Sequence, residues 1–213
     1  DIVIFCDTGR EDPDTYRFIN DFSVFENIPV VILKGDWRKE VIKAEQMIPN
    51  YAKRKCTINL KIKKARRHLR SIGVFKYYQF IGFRADEPIR VKEYKERWQK
   101  VKTFFPLSSA GVSKPEVLLF FKSKPYDLKI PSILGNCDLC FLKGESAIMA
   151  IIKDDPSKAD KWIEDEENKE LNPNGYTYQK GKTMRQIRDA ALKINRLFPL
   201  DELTSKFSCV CSA

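Results

Sequence analysis

The chain has 213 residues, 43% hydrophobic and 32% charged, enough to bury one sizeable core with a small appended part. Its longest obvious apolar run, Val117-Leu118-Leu119-Phe120-Phe121, falls far short of the ~20 residues of a membrane helix, so no membrane association is expected. Lys and Arg number 39 against 29 Asp and Glu, and six cysteines occur without a signal-peptide pattern, which argues against a secreted disulfide scaffold and for a cytoplasmic location.

The apolar run at residues 2–5 fits a buried parallel strand, and Asp12-Pro13 then supplies an N-cap and a proline at the first helical position. Residues 29–33 read as a second strand, followed by a helix over 38–47. Residues 57–71 read as a basic helix with Ile58, Ile62, Ala65 and Leu69 on one face, stopped by Gly73. A strand over 77–83, a helix over 94–101, a strand over 103–107 and a helix over 114–124 continue the alternation. From Ala147 onward the pattern is mostly helical, with a loop around Asn172-Pro173-Asn174-Gly175 and a last helix over 184–197. Such alternation implies an α/β fold, a parallel sheet with helices on both faces. The expected division is an α/β domain over residues 1–143 and a helical extension with a Cys-containing tail over 144–213.

The net charge of +10 is uneven. No acidic residue stands between Glu45 and Asp86, while Lys53, Arg54, Lys55, Lys61, Lys63, Lys64, Arg66, Arg67 and Arg70 crowd the 53–70 segment. That segment either binds nucleic acid, lines a pocket for phosphate or sulfate, or is a solvated helix face. The acidic runs Asp154-Asp155 and Glu164-Asp165-Glu166-Glu167 read as a solvated helix end or loop. Trp37, Trp98 and Trp162 read as packing residues. His68 reads as a surface or phosphate-facing residue.

In open parallel sheets ligands sit beyond the carboxyl ends of strands. One such place is Asp7-Thr8-Gly9, where Gly9 permits a tight turn before a helix N-terminus whose free N–H groups can meet an anion. Another is Arg84 in Gly82-Phe83-Arg84, whose guanidinium can fork onto phosphate or sulfate. Three cysteines form a third constellation. Cys137 and Cys140 are spaced to reach one metal or cluster, and Cys56 lies in a basic run that favours its thiolate. Cys6, at the end of a strand, reads as a small hydrophobe.

These residues carry a resemblance. Asp7-Thr8-Gly9 followed by Pro13 and Thr15, then Lys55-Cys56-Thr57 with Lys61, Gly82-Phe83-Arg84-Ala85-Asp86, Phe105-Pro106-Leu107 and Gly135-Asn136-Cys137-Asp138-Leu139-Cys140-Phe141-Leu142-Lys143 occur in order. Together they resemble the phosphoadenosine phosphosulfate (PAPS) reductase family of the adenine-nucleotide alpha hydrolase superfamily, most of all its short phage and mobile-element type. The resemblance implies an adenine nucleotide (PAPS, APS or ATP) held by Asp7, Thr8, Gly9, Lys61, Arg84 and Lys143. It also implies an iron-sulfur cluster, 4Fe-4S before zinc, on Cys56, Cys137 and Cys140. The fourth ligand is Cys211 or Cys209, or is missing, because Thr57 stands where cluster-bearing relatives have a second cysteine.

Two family features differ. The Ser-Gly-Gly phosphate loop expected before Ile2 is absent, so it either lies upstream or has been lost; the neighbourless first strand favours the former. The C-terminal nucleophile segment is also absent, leaving Cys209 and Cys211 as candidate catalytic thiols served by a thiol reductant protein. The leading expectation is a sulfonucleotide reductase. The alternatives are ATP-dependent sulfur transfer to a nucleic acid or nucleotide, forming AMP and pyrophosphate, and a non-enzymatic iron-sulfur redox sensor.

Overall fold

Strand β1 (Val3–Asp7) pairs in parallel with β2 (Val30–Lys34), in register from Val3 opposite Val30 to Asp7 opposite Lys34, in a computed structural model that describes residues 1–97, 101–130, 135 and 137–194. The crossover between them is α1 (Pro13–Phe25). Its start follows from the sequence: Asp12 is extended and its carboxylate accepts the Asp14 N–H at 3.0 Å, while Pro13 needs no donor there. Arg17 then pairs with Asp14 and Asp21 along the helix surface.

The expected helices over 38–47 and 57–71 form with a different winding. Arg38–Lys43 and Thr57–Ile62 are π-helical, and the second continues as α2 (Lys63–Ser71). The π turns bury Val41, Ile42 and Leu60 completely. Over a single turn α and π windings present nearly the same apolar residues, so the periodicity does not separate them.

The described residues divide into two compact units, 1–66 with 128–194, and 67–127. In the first, Trp37, Ile42, Ile48 and Leu60 share a core with Leu139 and Phe141 and with α6 (Glu145–Asp154), α7 (Asp160–Glu167) and α8 (Met184–Lys193). Ile148, Ile151, Trp162, Met184 and Ile187 are the chief helical contributions. A 3-10 turn, Pro156–Ala159, joins α6 to α7. Helix α8 opens with a full capping box, Thr183 and Gln186 each bonding the other's backbone N–H.

In the second unit β3 (Gln79–Phe80) and β4 (Thr103–Phe104) pair in parallel. Both are shorter than the strands expected over 77–83 and 103–107. Helix α3 (Pro88–Arg97) begins earlier than expected because Pro88 occupies its first position. Helices α4 (Pro106–Ser109) and α5 (Lys114–Lys122) complete the unit. Its core is small: Phe83, Tyr94 and Phe105, with the Phe83 and Phe105 rings stacked at 5.6 Å. Two α/β units of parallel strands and helices, with a helical C-terminal part, agree with the expected fold class. No described helix is long and apolar enough to cross a membrane.

Candidate functional site

The loop leaving β1 is a buried polar cluster. Asp7, Thr8, Arg10, Glu11 and Asp12 are all buried, although each carries a polar side chain. Burying such groups is tolerated only when they bond one another. Glu11 accepts the Thr8 N–H at 2.9 Å, the Thr8 hydroxyl at 2.7 Å and the Arg10 N–H at 3.2 Å. Asp7 accepts the Gly9 N–H and the Tyr16 hydroxyl, both at 2.8 Å. Gly9 takes φ +74°, the left-handed conformation that lets the chain turn here without strain.

Charge and burial compete in this loop. Burial raises the Glu11 carboxyl above its ordinary range, opposed by the Thr8 hydrogen bond and the Lys61 charge. Burial likewise raises the Tyr16 hydroxyl, and the Asp7 carboxylate it bonds adds to the effect. Lys61 acts on Glu11, Cys6 and Cys56 alike. The π turn Thr57–Ile62 thus sets Lys61 beside the β1 loop, and the Cys6 thiol donates to the Lys61 carbonyl at 3.7 Å.

The cysteine loop docks on the same place through its backbone. Cys137 bridges Glu11 in antiparallel fashion, and the Asp138 N–H donates to the Arg10 carbonyl at 3.1 Å. Lys143 folds back so that its ammonium donates to the carbonyls of Cys137 and Asp138. It is therefore bonded to the cysteine loop. Lys158 ties the two loops together, reaching Asp12 at 2.9 Å and Asp138 at 3.4 Å.

Among the described residues no group of three or more His, Cys, Asp or Glu is placed to hold a metal ion. None of Cys56, Cys137 and Cys140 is in a disulfide, Cys140 is buried, and Cys56 packs against the apolar core. The Lys61 and Arg54 charges act to lower the Cys56 thiol. Burial raises its thiol and outweighs Lys61 and Arg54. Cys209 and Cys211, the expected catalytic thiols, lie outside the described residues, as do Trp98 and Asn136.

Arg84, in the second unit, has its guanidinium forked on Asp86, at 2.8 and 3.3 Å, with Glu87 at 3.3 Å. That bond holds the Asp86 carboxyl below its usual range. In the basic segment Lys55 pairs with Glu45 at 2.7 Å and Lys64 with Glu40 at 2.5 Å, so part of the charge is neutralised by residues preceding it.

The acidic run 164–167 is not a solvated end. Asp165 and Glu166 are buried, and Asp165 pairs with Arg10 of the β1 loop. Sequence reasoning missed Arg10, Glu11, Asp165 and Tyr178. One signal was present: Asp165 and Glu166 fall three and four residues after Trp162, on the same helical face as the apolar pair Trp162-Ile163.

The chain is 28% identical over 179 residues to the nin region protein ORF290 of Escherichia phage lambda, covering 71% of this chain and 60% of that protein. The chain thus spans less than two thirds of the length of that relative. No solved structure matches the chain significantly. The phosphoadenosine phosphosulfate reductase domain matches residues 1–123, which carry β1, its loop, α1, the Lys61 turn and most of the second unit. Since that match takes in more than half of the chain, the protein belongs to the phosphoadenosine phosphosulfate reductase domain family.

Proposed function

We propose that this chain binds an adenine nucleotide at the carboxyl end of β1 and acts on a sulfonucleotide. The observation that carries the reading is the loop before α1, in which Asp7 and Thr8 are buried and Gly9 is exposed, with the Lys61 charge acting on Glu11 of the same loop. The loop lies beyond the carboxyl end of a parallel strand, where such sheets bind their ligands, and its own amides are held by Asp7 and Glu11. Lys61 adds a full charge. Lys143 holds the cysteine loop, and Arg84 is proposed as an anion-binding residue of the second unit.

In the reaction proposed, a thiolate of Cys209 or Cys211 attacks the sulfur of the sulfonucleotide. The S–O bond to the nucleotide phosphate breaks, and the nucleotide leaves with that bonding pair. The resulting thiosulfonate is attacked by the second thiol or by a thiol reductant protein, which releases sulfite and leaves a disulfide. Cys56, Cys137 and Cys140 are proposed as the site of an iron-sulfur cluster that would need to draw them together on binding. Anaerobic iron and sulfide quantification tests that part separately.

The deciding experiment offers PAPS, APS and ATP to the purified chain and measures sulfite, AMP and pyrophosphate. Sulfite from PAPS or APS, lost in the C209S/C211S double variant while nucleotide binding persists, is the expected result. Full sulfite release by that variant overturns the thiol mechanism. AMP and pyrophosphate from ATP would instead establish sulfur-transfer chemistry.

A further inference from the structure

We infer that Asp165, which lies outside the family-matched residues, is a positioning residue that pins the nucleotide loop by holding Arg10. The inference rests on the proposed nucleotide site for its ligand, and on the fold alone for the pin. Arg10 follows the Gly9 turn, and its backbone is bonded on both sides, donating to Glu11 and accepting from Asp138. Its side chain leaves the loop and runs into the core, where it is 6% exposed. There the guanidinium lies 5.4 Å from the Trp37 ring centre and 5.1 Å from that of Trp162, and Nη2 pairs with Asp165 Oδ2.

Asp165 is itself held from several sides. Its Oδ2 also accepts the Tyr178 hydroxyl at 3.0 Å, and its Oδ1 accepts Arg38 Nε at 2.6 Å. The Tyr178 oxygen in turn accepts the Trp37 indole N–H at 3.1 Å. A buried ion pair of this kind adds little net stability over an apolar pair of equal volume, because both charges lose their water. What it supplies is direction. The carboxylate on α7 fixes where the guanidinium lies, and the guanidinium fixes the residue between Gly9 and Glu11. A loop held before its ligand arrives does not lose that ordering entropy on binding. The helical segment after residue 143 is thereby part of the site, although it supplies no group to the nucleotide.

The test is a double-mutant cycle read by calorimetric titration with adenosine 3′,5′-bisphosphate, with ATP as second probe. Asp165→Asn should weaken binding about tenfold, whereas adding it to Arg10→Gln should cost less than about twofold further, because both act through one contact. General loosening of the fold would not give that coupling. Arg185→Ala, which breaks an exposed pair with Glu167 two residues from Asp165, should leave affinity unchanged. Should D165N fail to fold around its unpaired guanidinium, R10Q/D165N, which buries no charge, must itself bind about tenfold more weakly than wild type. Binding within about twofold of wild type by folded D165N or by the double variant overturns the inference.

If wild type binds neither probe, the nucleotide reading fails, and the pin is judged by hydrogen exchange. Amides of residues 8–11 should then exchange about tenfold faster in R10Q/D165N than in wild type, with β2 unchanged. Equal exchange at those amides overturns it.

Discussion

The amide of Gly35 donates to the carbonyl of Asp7 at 2.7 Å, and this approach leaves no room for a side chain. A Cβ at Gly35 would lie 2.9 Å from the Asp7 oxygen and 2.9 Å from Leu60 Cδ2. Leu60 can adjust, but the Asp7 carbonyl is backbone and heads the loop proposed to bind nucleotide. Gly35→Ala should therefore cost about 1–3 kcal/mol, the usual range for overpacking a filled site. Urea denaturation checks the stability, and nucleotide titration should show weaker binding in the same variant. Unchanged stability would mean that the β1 and β2 ends separate more easily than their register implies.

Lys158 joins the cap of α1 to the cysteine loop through Asp12 and Asp138, with its side chain 17% exposed. Replacing it with methionine keeps the aliphatic stem and removes the ammonium that joins the buried Asp12 and half-buried Asp138 carboxylates. The cost should be about 2 kcal/mol, between the small loss at an exposed pair and the larger one at a fully buried pair. The denaturation midpoint of K158M measures it, and K158R should recover most of the loss.

Much of this arrangement was legible in the sequence. Asp12-Pro13 announced α1 because capping and the proline requirement are local, and the strand-end loop followed from the apolar run that precedes it. The acidic run 164–167 was misleading because charge density alone predicts solvation. Its partners, Arg10, Arg38, and the amides of Tyr178 and Met184, are distant in sequence. The cysteines show the reverse failure. Cys137 does come to the β1 loop, by its backbone, yet spacing could not reveal that Cys56 packs against the core.

In the second unit, Phe105 stacks on Phe83 and meets Tyr94 edge-on at 5.7 Å, and the Arg90 guanidinium covers the Phe83 ring at 4.3 Å. With so few buried side chains, this cluster carries most of the unit's apolar burial. Phe83→Ala should cost about 3 kcal/mol or more. Hydrogen exchange should show the loss at residues 79–105, and retained protection there would place the unit's stability elsewhere.

Glu166 offers a stability effect with a defined pH sign. Its carboxylate accepts the backbone N–H of Tyr178 at 2.9 Å and of Met184 at 2.6 Å. Burial nevertheless raises its pKa, the two amide bonds oppose this, and the neighbouring Glu167 and Asp165 charges add to the rise. Between the ordinary carboxylate value and the raised one, the folded chain binds more protons than the unfolded chain. Stability contributed by this group therefore falls as pH rises across that interval and levels off above the raised value. Glu166→Gln removes the titration, and its amide oxygen can still accept one or both of the two N–H groups. The stability of wild type relative to E166Q should accordingly be greatest at low pH and decline as the carboxyl ionises, as read from denaturation midpoints at a series of pH values. A difference that grows with pH would show that the amide bonds, and not burial, govern this carboxyl.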